Sequence, residues 1–443
     1  MKQFNPLAIS IMLILFCFLS PVWSDGPLER MEIPSSPNPV GSGARALGMG
    51  GAFIGLAEDA TAASWNPAGI AQLQKSEVST VFHLTSRSED NHIYSESYGT
   101  HSKTLDDFNV NYFSATFVQK DHDIVFSLSY QHQYDFNREW HMPVQLANNN
   151  ASGNTIYDMV QEGDLYALGF AVAVRINSKL FAGFTLNDWG HLFKNRWKQS
   201  HFQNTSITLG PTEGFAYSKK KETYTIDGLN ANLGVIYKIN DELQVGAVIK
   251  TPFKATLDLD GSLEIADIFP TFPEANNISD PEIYHPEYHL RMPLSYGLGM
   301  AWILPEPGWT FSADIYRTHW NQFEMELDDG RRVSPVSGLE MNISDVDPTI
   351  WFRCGVQKDI ILSEGNMAFL RGGLFYDPAP AERSPDDFWG FSMGGGFSNK
   401  KIAVDAAAQV RFGNDVGSNL LQHLNFSQDV VEYKFFMSFI YYL

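Results

Sequence analysis

Apolar and polar residues alternate regularly at the C-terminal end of the chain. Large apolar side chains occupy every second position from Val431 to Leu443, and the positions between them include Glu432, Lys434 and Ser438. Successive side chains of a β-strand point to opposite faces, so this pattern predicts a strand with one continuous apolar face.

Three further segments, 122–133, 163–175 and 401–413, repeat this alternation, with large apolar side chains on one face and small or polar ones on the other. A soluble β-sandwich alternates too, so the pattern alone leaves that alternative open. Strand lengths of about ten residues or more favour the tilted strands of an outer-membrane barrel.

Segments of this kind recur along the chain and predict an all-β fold, a transmembrane antiparallel β-barrel of about fourteen strands. The predicted strands are 76–86, 107–119, 122–133, 163–175, 179–189, 223–239, 242–260, 288–303, 309–323, 348–358, 366–376, 388–398, 401–413 and 430–443. Short connections at 177–178 and 240–241 alternate with long ones such as 190–222 and 261–287. Because such barrels have short periplasmic turns, the even strand count places both barrel ends in the periplasm.

Composition agrees with a membrane barrel. The chain has 443 residues, a formal net charge of −20 and a mean hydropathy of −0.19, yet 14% of its residues are aromatic. The acidic charge disfavours a nucleic acid as a partner. A chain that is polar on average but rich in aromatic residues fits strands that carry apolar side chains in every second position.

The start of the chain predicts export. A positive N-terminus, an apolar run over 9–19 and small residues after it predict that residues 1–24 form a secretory signal peptide. Its removal leaves Cys354 as the one remaining cysteine, so we expect no intramolecular disulfide.

Gly41–Ile70 precedes the first predicted strand and is rich in glycine. Its start, Gly41-Ser-Gly43-Ala-Arg-Ala46, fits the dinucleotide-binding pattern G-x-G-x-x-G/A, but that pattern requires a preceding strand. Residues 33–39 contain three prolines instead and are predicted to be extended coil. The glycines therefore indicate a compact coil packed where only glycine fits.

A family resemblance rests on segment 65–69, Trp-Asn-Pro-Ala-Gly, and on segment 370–378, which begins Leu-Arg-Gly-Gly and ends Tyr-Asp-Pro. With the glycine-rich run and the segment Glu58-Asp-Ala-Thr61, they make the chain resemble the FadL-like outer-membrane transporters of long-chain fatty acids and aromatic hydrocarbons. Further matches lie at 232–237, 246–252, 290–297 and 309–320. The resemblance covers almost all of the chain after the predicted signal peptide.

The resemblance implies a barrel plugged from within by an N-terminal hatch. Residues 25–75 would form an extension and the hatch, and residues 76–443 would form the barrel. The hatch or gate residues are Asn66, Pro67, Ala68 and Gly69. We expect Asn66 to satisfy stray backbone groups and Pro67 to stiffen the turn.

The resemblance also implies that the third and fourth outer loops, 190–222 and 261–287, collect hydrophobic substrate. Their candidate ligand-binding residues are Trp189, Leu192, Phe193, Trp197, Ile265, Ile268, Phe269 and Phe272. The first four would share one face of a helix. The alternative is that these side chains pack on one another or belong to the aromatic belt at the membrane interface.

Two arginines on inward positions of predicted strands are further candidates for ligand binding. Arg371 and Arg411 would either meet a ligand carboxylate or pair with acidic residues of the barrel. The sequence leaves both roles open.

Together with the barrel pattern, the resemblance implies passive diffusion of hydrophobic small molecules, long-chain fatty acids or related hydrocarbons, across the outer membrane of a Gram-negative bacterium. We expect no catalytic residue, no cofactor and no metal ion. The expected partners are the ligand, outer-membrane lipid and the barrel assembly machinery, which would recognise the C-terminal strand. A nucleic acid is not expected as a partner.

Two other functions fit parts of the sequence. A partner-binding barrel of a protein secretion system would lack a continuous apolar path from the outer loops to the hatch. A lipid hydrolase would use Ser392, because Gly390-Phe-Ser392-Met-Gly394 fits the esterase pattern G-x-S-x-G. That pattern requires a strand-to-helix turn, whereas here it lies within a strand-like run.

Overall fold

The computed structural model describes residues 41–93, 101–119, 123–147, 152–209, 212–418 and 426–443. The predicted signal peptide and the N-terminal extension lie outside the described residues.

The described residues form strands almost throughout. In chain order the strands are β1 (Glu77–Ile93), β2 (His101–Gln119), β3 (Ile124–Asp135), β4 (Arg138–Ala147), β5 (Ser152–Arg175), β6 (Leu180–Asp188), β7 (Asn195–Leu209), β8 (Thr212–Asp227), β9 (Leu229–Lys238), β10 (Leu243–Lys250), β11 (Phe253–Ile268), β12 (Asn277–Ile278), β13 (Glu282–Tyr284), β14 (Glu287–Met292), β15 (Ser295–Leu304), β16 (Trp309–Thr318), β17 (Glu324–Glu326), β18 (Arg332–Val333), β19 (Thr349–Ser363), β20 (Asn366–Tyr376), β21 (Trp389–Ser398), β22 (Ile402–Val416) and β23 (Phe426–Tyr442).

Fourteen of these strands form a closed antiparallel ring. The order around the ring is β1, β2, β3, β5, β6, β9, β10, β15, β16, β19, β20, β21, β22 and β23. Pairing of β23 with β1, from Tyr442 opposite Glu77 to Phe426 opposite Ile93, closes it. The predicted transmembrane barrel is confirmed, and each ring strand overlaps one predicted segment.

The alternation predicted for the last strand is present in the ring. Tyr433, Phe435 and Phe439 of β23 are exposed on the outer surface, whereas Glu432 and Ser438 are buried inside. A closed ring also gives every strand a hydrogen-bonded neighbour on both sides, which a bilayer without water favours. The sequence pattern therefore reports which face of each strand meets lipid.

The remaining strands, β4, β7, β8, β11 to β14, β17 and β18, extend the sheet beyond the ring at one end, and we call them the mouth sheet. Strand β5 belongs to both parts. Its residues 168–175 pair with β6 in the ring, and its residues 152–164 pair with β7 in the mouth sheet. Gly163, with φ of 126°, lies where the strand passes from one partner to the other.

The mouth sheet corrects two expectations. The predicted loops 190–222 and 261–287 are strands over most of their length, and three predicted ring strands are each divided between ring and mouth sheet. The divisions fall at Gly228, at Thr251-Pro252 and at Pro293-Leu294. Proline has no N–H to donate to a ladder, so it interrupts the pairing even though apolar alternation continues on both sides.

Residues 41–75, which we call the inner segment, lie inside the ring. They contain two short helices, α1 (Ala44–Gly48) and α2 (Ala62–Trp65), and a 3₁₀ helix, Pro67–Gln72. Backbone groups of the inner segment hydrogen-bond to side chains from widely separated ring strands, namely Tyr112, Thr185, Asp314, Ser392 and Ser438. None of the helices in the described part of the chain is long and apolar enough to span a bilayer.

The topology makes opposite predictions for two turns. A protease site inserted after Asp329, between β17 and β18, is expected to be cut in intact cells because the mouth sheet faces outward. Gly330 of that turn has open space around it. The same site inserted after Asn240, between β9 and β10, is expected to stay intact because that turn is periplasmic. Cleavage at Asn240 alone would show that the barrel is inverted.

Candidate functional site

The inner segment approaches the barrel wall most closely at glycines. A Cβ atom added at any of these wall positions would come within 3.1 Å of an atom of the inner segment: Gly183, Gly234, Gly246, Gly299, Gly355, Gly373 and Gly394. They lie on β6, β9, β10, β15, β19, β20 and β21, which occupy about half of the ring. The two backbones can come this close because glycine has no side chain.

Strand β16 crosses the same half of the ring but contributes an acid instead of a glycine. Asp314 Oδ2 accepts hydrogen bonds from the backbone N–H groups of Phe53 at 2.6 Å and Ile54 at 2.8 Å. Both donors belong to the turn that follows α1, and Asp314 is buried. A carboxylate that accepts two backbone N–H groups ties this turn to the wall.

Asn66 connects the second half of the inner segment to the wall. Its Nδ2 donates to the carbonyl oxygens of Ile54 at 3.0 Å and Val235 at 3.1 Å, and its Oδ1 accepts from the N–H of Ala68 at 3.2 Å. Asn66 is completely buried. Its side chain thus satisfies backbone groups of the inner segment and of β9 together.

The other predicted hatch residues lie directly beside it. Pro67 occupies the first turn of the 3₁₀ helix, where its missing N–H costs nothing. Ala68 and Gly69 are buried, and a Cβ atom at Gly69 would collide with the Ala57 carbonyl oxygen. The motif therefore forms one compact turn that packs against Gly183 of β6.

Ser392 has a structural contact with the inner segment. It lies within β21, its Oγ accepts from the N–H of Gly50 at 2.8 Å, and it donates to the carbonyl of Gly48 at 3.1 Å. The strand-to-helix turn of an esterase elbow is absent here, because β21 runs from Trp389 to Ser398 without a break. The glycine next but one, Gly394, packs against Gly48.

Arg371 belongs to a buried polar network that includes the inner segment. Its Nη1 lies 2.5 Å from Asp405 Oδ1, and its Nε donates to Gln357 Oε1 at 2.7 Å. The same Gln357 oxygen accepts from Arg45, which pairs with Glu58 at 2.7 Å. Burial alone lowers the pKa of Arg45, but the Glu58 carboxylate and other nearby acids outweigh it and raise that pKa.

Arg411 is paired in a second network. Its Nε lies 3.4 Å from Asp377 Oδ2, and its guanidinium lies 3.6 Å above the ring of Phe388. Arg353 shares the same carboxylate at 3.5 Å and donates to the Gly50 carbonyl at 3.3 Å. Both arginines predicted as ligand contacts therefore pair with barrel acids, and a ligand contact for either remains a prediction.

An aromatic core, which we call the mouth core, packs against the mouth sheet. Trp197 stacks between Phe136 and Tyr224, with ring centroids 4.6 and 4.7 Å away. Trp189 lies in the same core beside Phe253, at 5.4 Å. Two of the predicted substrate-collecting residues are therefore buried side chains of this core.

The helix predicted for residues 189–197 is absent. This stretch bends through residues 189–193, and β7 begins at Asn195. Leu192 and Phe193 are 71% and 66% exposed, whereas Trp197 is 1% exposed. The prediction of one shared helical face was wrong, because Trp197 lies in β7 and stacks between two aromatic rings instead.

The candidates from the fourth predicted loop form a separate group. Phe269 is buried with Ile207, and Phe272 packs against the same small cluster. Ile265 and Ile268 lie on β11, Ile265 exposed and Ile268 half-buried. The structure therefore brings together Trp189 with Trp197, and Phe269 with Phe272, but places the two pairs in different clusters.

A pocket with one lysine lies between the mouth core and the inner segment. Its lining includes Tyr316, which packs in the cluster of the inner segment, and Trp320, which belongs to the mouth core. Lys250 contributes an amine, with Trp189, Phe253 and Met292 nearby in the lining. The pocket holds about 50 Å³ of free space and combines one cation with aromatic, apolar and amide side chains, which suits the charged end of an amphipathic molecule.

Sequence reasoning did not single out Lys250, although a signal was present. Gln244, Gly246 and Val248 of β10 are buried inside the barrel, and Lys250 continues the same parity. The alternation along β10 therefore predicts an inward cation at the mouth end of this strand. Asp314 shows the same inward parity on β16.

The ring has a gap in its backbone ladder between β2 and β3. Their pairing runs from Gln119 opposite Ile124 to Tyr112 opposite Gln131 and stops there. Beyond Tyr112, β2 continues paired with β1, and β3 continues paired with β5. A bulge at Asn111 separates the two parts of β2, so its outer half follows β1 away from β3.

Comparison with known protein families identifies the family of this chain. The family model described as "Outer membrane protein transport protein (OMPP1/FadL/TodX)" matches residues 40–434. The chain belongs to this family. It is an outer-membrane protein, and its family consists of transport channels for hydrophobic compounds rather than enzymes. No curated protein matches the chain significantly.

Solved structures of the OMPP1/FadL/TodX family share the fold at low sequence identity. A FadL homologue from Pseudomonas aeruginosa is 14% identical, with a TM-score of 0.56 over 90% of this chain and 98% of its own. The toluene transporter TodX from P. putida is 14% identical, with a TM-score of 0.56 over 92% and 99%. The CymD monoaromatic hydrocarbon channel is 14% identical, with a TM-score of 0.52 over 92% and 98%.

Two adjacent glycines of β20 provide a matched test of the inner segment. Gly373→Ala is expected to displace the segment, because the new Cβ would collide with Gly50 N, and overpacking of this kind costs about 1–3 kcal/mol. Gly372→Ala is the control, since its Cβ would meet nothing nearer than 3.9 Å. Uptake of a small polar dye by cells should rise only for Gly373→Ala.

Both variants should keep the heat-resistant gel mobility of a folded barrel, because closure of the ring does not involve this contact. Equal dye uptake by the two variants and the parent would show that the close approach at Gly373 does not hold the inner segment in place.

Proposed function

We propose that the protein carries amphipathic hydrophobic acids, of the long-chain fatty acid class, across the outer membrane by passive diffusion. The observation that carries this choice is the Lys250 pocket between the mouth core and the inner segment. Family membership supports transport of hydrophobic compounds, and the pocket supports an acidic member of that class.

The lining of the pocket fits a molecule with one anionic end. Lys250 supplies the cation, and the amide side chains of Asn187, Asn230 and Asn232 supply further hydrogen-bonding groups. Aromatic rings and Met292 form part of the remaining wall, so an alkyl chain has apolar surface beside the charged end. A carboxylate held by an amine in this partly dry site gains a charge-assisted hydrogen bond.

A path through the protein follows from the positions of these parts. Exposed Leu192 and Phe193 at the mouth offer a first apolar contact, and the pocket lies below the mouth core. The inner segment fills the ring beneath it, so we propose that Asn66 to Gly69 act as the gate. Exit then takes place past a displaced inner segment or sideways through the gap between β2 and β3.

A neutral aromatic hydrocarbon is the second candidate. TodX is described as a toluene transporter and CymD as a monoaromatic hydrocarbon channel, and both share the fold. Trp189, Tyr316 and Trp320 in the lining offer faces and edges for a small ring. A partner-binding secretion barrel, in contrast, has no need of an amine set among aromatic rings.

Removal of the amine distinguishes the two substrate classes. Lys250→Met is expected to lower uptake of a long-chain fatty acid at limiting concentration roughly 10- to 100-fold, since a hydrogen bond to a charged group contributes about 1.5–3 kcal/mol. Uptake of toluene should stay unchanged, because a neutral ring needs no cation. Lys254→Met is the matched control, since Lys254 lies nearby and is exposed.

The measurement is uptake of each radiolabelled compound by cells that lack other channels of this family. An equal loss for both compounds would indicate a damaged pocket instead of a carboxylate site. Unchanged fatty-acid uptake in Lys250→Met, together with strong toluene uptake in the parent, would favour the aromatic hydrocarbon.

A further inference from the structure

A groove lies on the lipid-facing surface of the ring, across β9, β10, β15, β16 and β19. Its volume is about 540 Å³, within the range of small-molecule sites, about 300–1,000 Å³. Six of its large apolar side chains are exposed: Val235, Tyr237, Leu298, Met300, Ile315 and Phe352. Side chains of the opposite parity, such as Val248 and Tyr316, are buried inside the barrel, so the groove opens outward.

Small outward side chains create the groove. Ala247 of β10 lies between Val235 on one neighbouring strand and Leu298 on the other. Ala313 of β16 lies opposite Met300. A small side chain between larger ones leaves a depression in the surface, and here the depressions of two strands form one groove.

The inner segment packs against the other side of the same wall. Gly246 and Gly299 line the groove, and a Cβ atom on either glycine would collide with the backbone of Ile54 or Gly55. The wall is therefore one backbone thick at these two glycines. Because its inner side is already filled, the free space lies on the lipid side, where an empty groove would lose dispersion contacts.

Aromatic side chains mark the membrane boundary next to the groove. At the periplasmic end of β15 and β16, the ring of Phe311 lies 5.9 Å from that of Trp302 and 6.2 Å from that of Trp309. Trp is enriched where the hydrocarbon core meets the headgroups. Met300 of the groove precedes Trp302 by two residues, about 7 Å along the strand. The groove therefore begins just inside the hydrocarbon of the periplasmic leaflet.

A cation lies at this boundary. Lys358 of β19 is opposite Trp309, and its Nζ lies 5.1 Å from the centre of that ring and donates to the carbonyl of Pro307. No carboxylate in the described part of the chain forms an ion pair with Lys358. An ammonium group has three N–H donors, so donors remain for a second acceptor.

We propose that the groove binds one acyl chain of a phospholipid of the periplasmic leaflet, with the lipid phosphate at Lys358. The groove is continuous with the lipid-facing surface, so an acyl chain enters it without crossing water. The ammonium group at the boundary complements the charge of a phosphate. Binding of this lipid does not depend on which compound the barrel transports.

Photo-crosslinking tests the groove in the full chain reconstituted into nanodiscs. The probe is phosphatidylglycerol with a diazirine in one acyl chain, and it should label β10, β15 and β16 more strongly than the other ring strands. Ala313→Trp fills the groove and should lower this labelling at least fivefold. Ala406→Trp is the matched control, because Ala406 also alternates with buried residues and also lies four residues after the start of its strand, on β22.

Two outcomes would overturn the site. One is equal labelling of all ring strands in the parent, and the other is an equal loss of labelling in the two variants. The labelling pattern of the parent decides the site even where a variant loses the heat-resistant gel mobility of a folded barrel.

Retention of phosphatidylglycerol after purification in detergent tests the phosphate contact. Native mass spectrometry should show at least threefold less bound lipid for Lys358→Gln than for the parent. Lys401→Gln is the control, since Lys401 is an exposed lysine of a different periplasmic turn. Unchanged retention in Lys358→Gln, with labelling lost in Ala313→Trp, would uphold the acyl-chain groove and overturn the phosphate contact.

A third probe checks the choice of occupant. A free fatty acid with the same diazirine should label the groove less than the phospholipid does, because it has no phosphate to place at Lys358. Labelling of the groove by the fatty acid but not by the phospholipid would overturn the proposal. A parent that transports no hydrophobic compound would overturn the proposed function, while crosslinking still decides the lipid site.

Discussion

The close approach of two backbones governs the interior of this barrel. The backbone of the wall comes closest to the inner segment where it carries glycine, because any Cβ at Gly183, Gly355 or Gly373 would occupy the space of an inner backbone atom. At this distance the wall and the inner segment each fix the position of the other. The inner segment therefore has little freedom to shift gradually. Movement of the segment away from the wall is therefore a discrete event, which is the physical requirement for a gate.

The interior of the barrel contains many polar and charged side chains. Some inward side chains pack with the inner segment in an apolar cluster, whereas charged ones are arranged in pairs such as Arg371 with Asp405 and Arg411 with Asp377. Each pair fixes the inner segment through a third group, Gln357 in one case and Arg353 in the other. Buried charges that are paired in this way position the segment, which explains why an inward arginine need not be a ligand contact.

The alternation of apolar and polar residues predicts the strands of the ring but not those of the mouth sheet. Ring strands carry an apolar stripe because one face meets lipid, and β23 shows this in residues 433 to 441. Strand β7 has no such stripe: its buried face consists of Trp197 followed by Gln199, His201 and Gln203. The other face of β7 carries Arg196, Lys198 and Asn204. A strand that is polar on both faces looks like a loop in the sequence, so the prediction of a loop at 190–222 was wrong.

Contacts between residues that are distant in sequence could not be predicted either. A local motif is enough to single out Asn66 and Pro67. The partner of Asn66, the carbonyl oxygen of Val235, lies on another strand, and the sequence does not state the register of that strand. Lys250 was accessible from parity, but its aromatic surroundings come from β6, β11 and β16 and the turns beside them. His132 lies 2.9 Å from Asp164 of a neighbouring strand, and alternation assigns such residues to faces without bringing them together.

The gap between β2 and β3 distinguishes this part of the wall from the rest of the ring. A bilayer penalises unpaired backbone groups, so a ladder that ends at Tyr112 and Gln131 must be compensated by other contacts. Side chains at the gap provide such contacts, because Asn109 of β2 donates to Asp164 of β5. Side-chain contacts are easier to break than a continuous ladder, because each can open without disturbing the register of its strand. A wall region held by side chains in place of backbone pairs is therefore the region of the ring best suited to open.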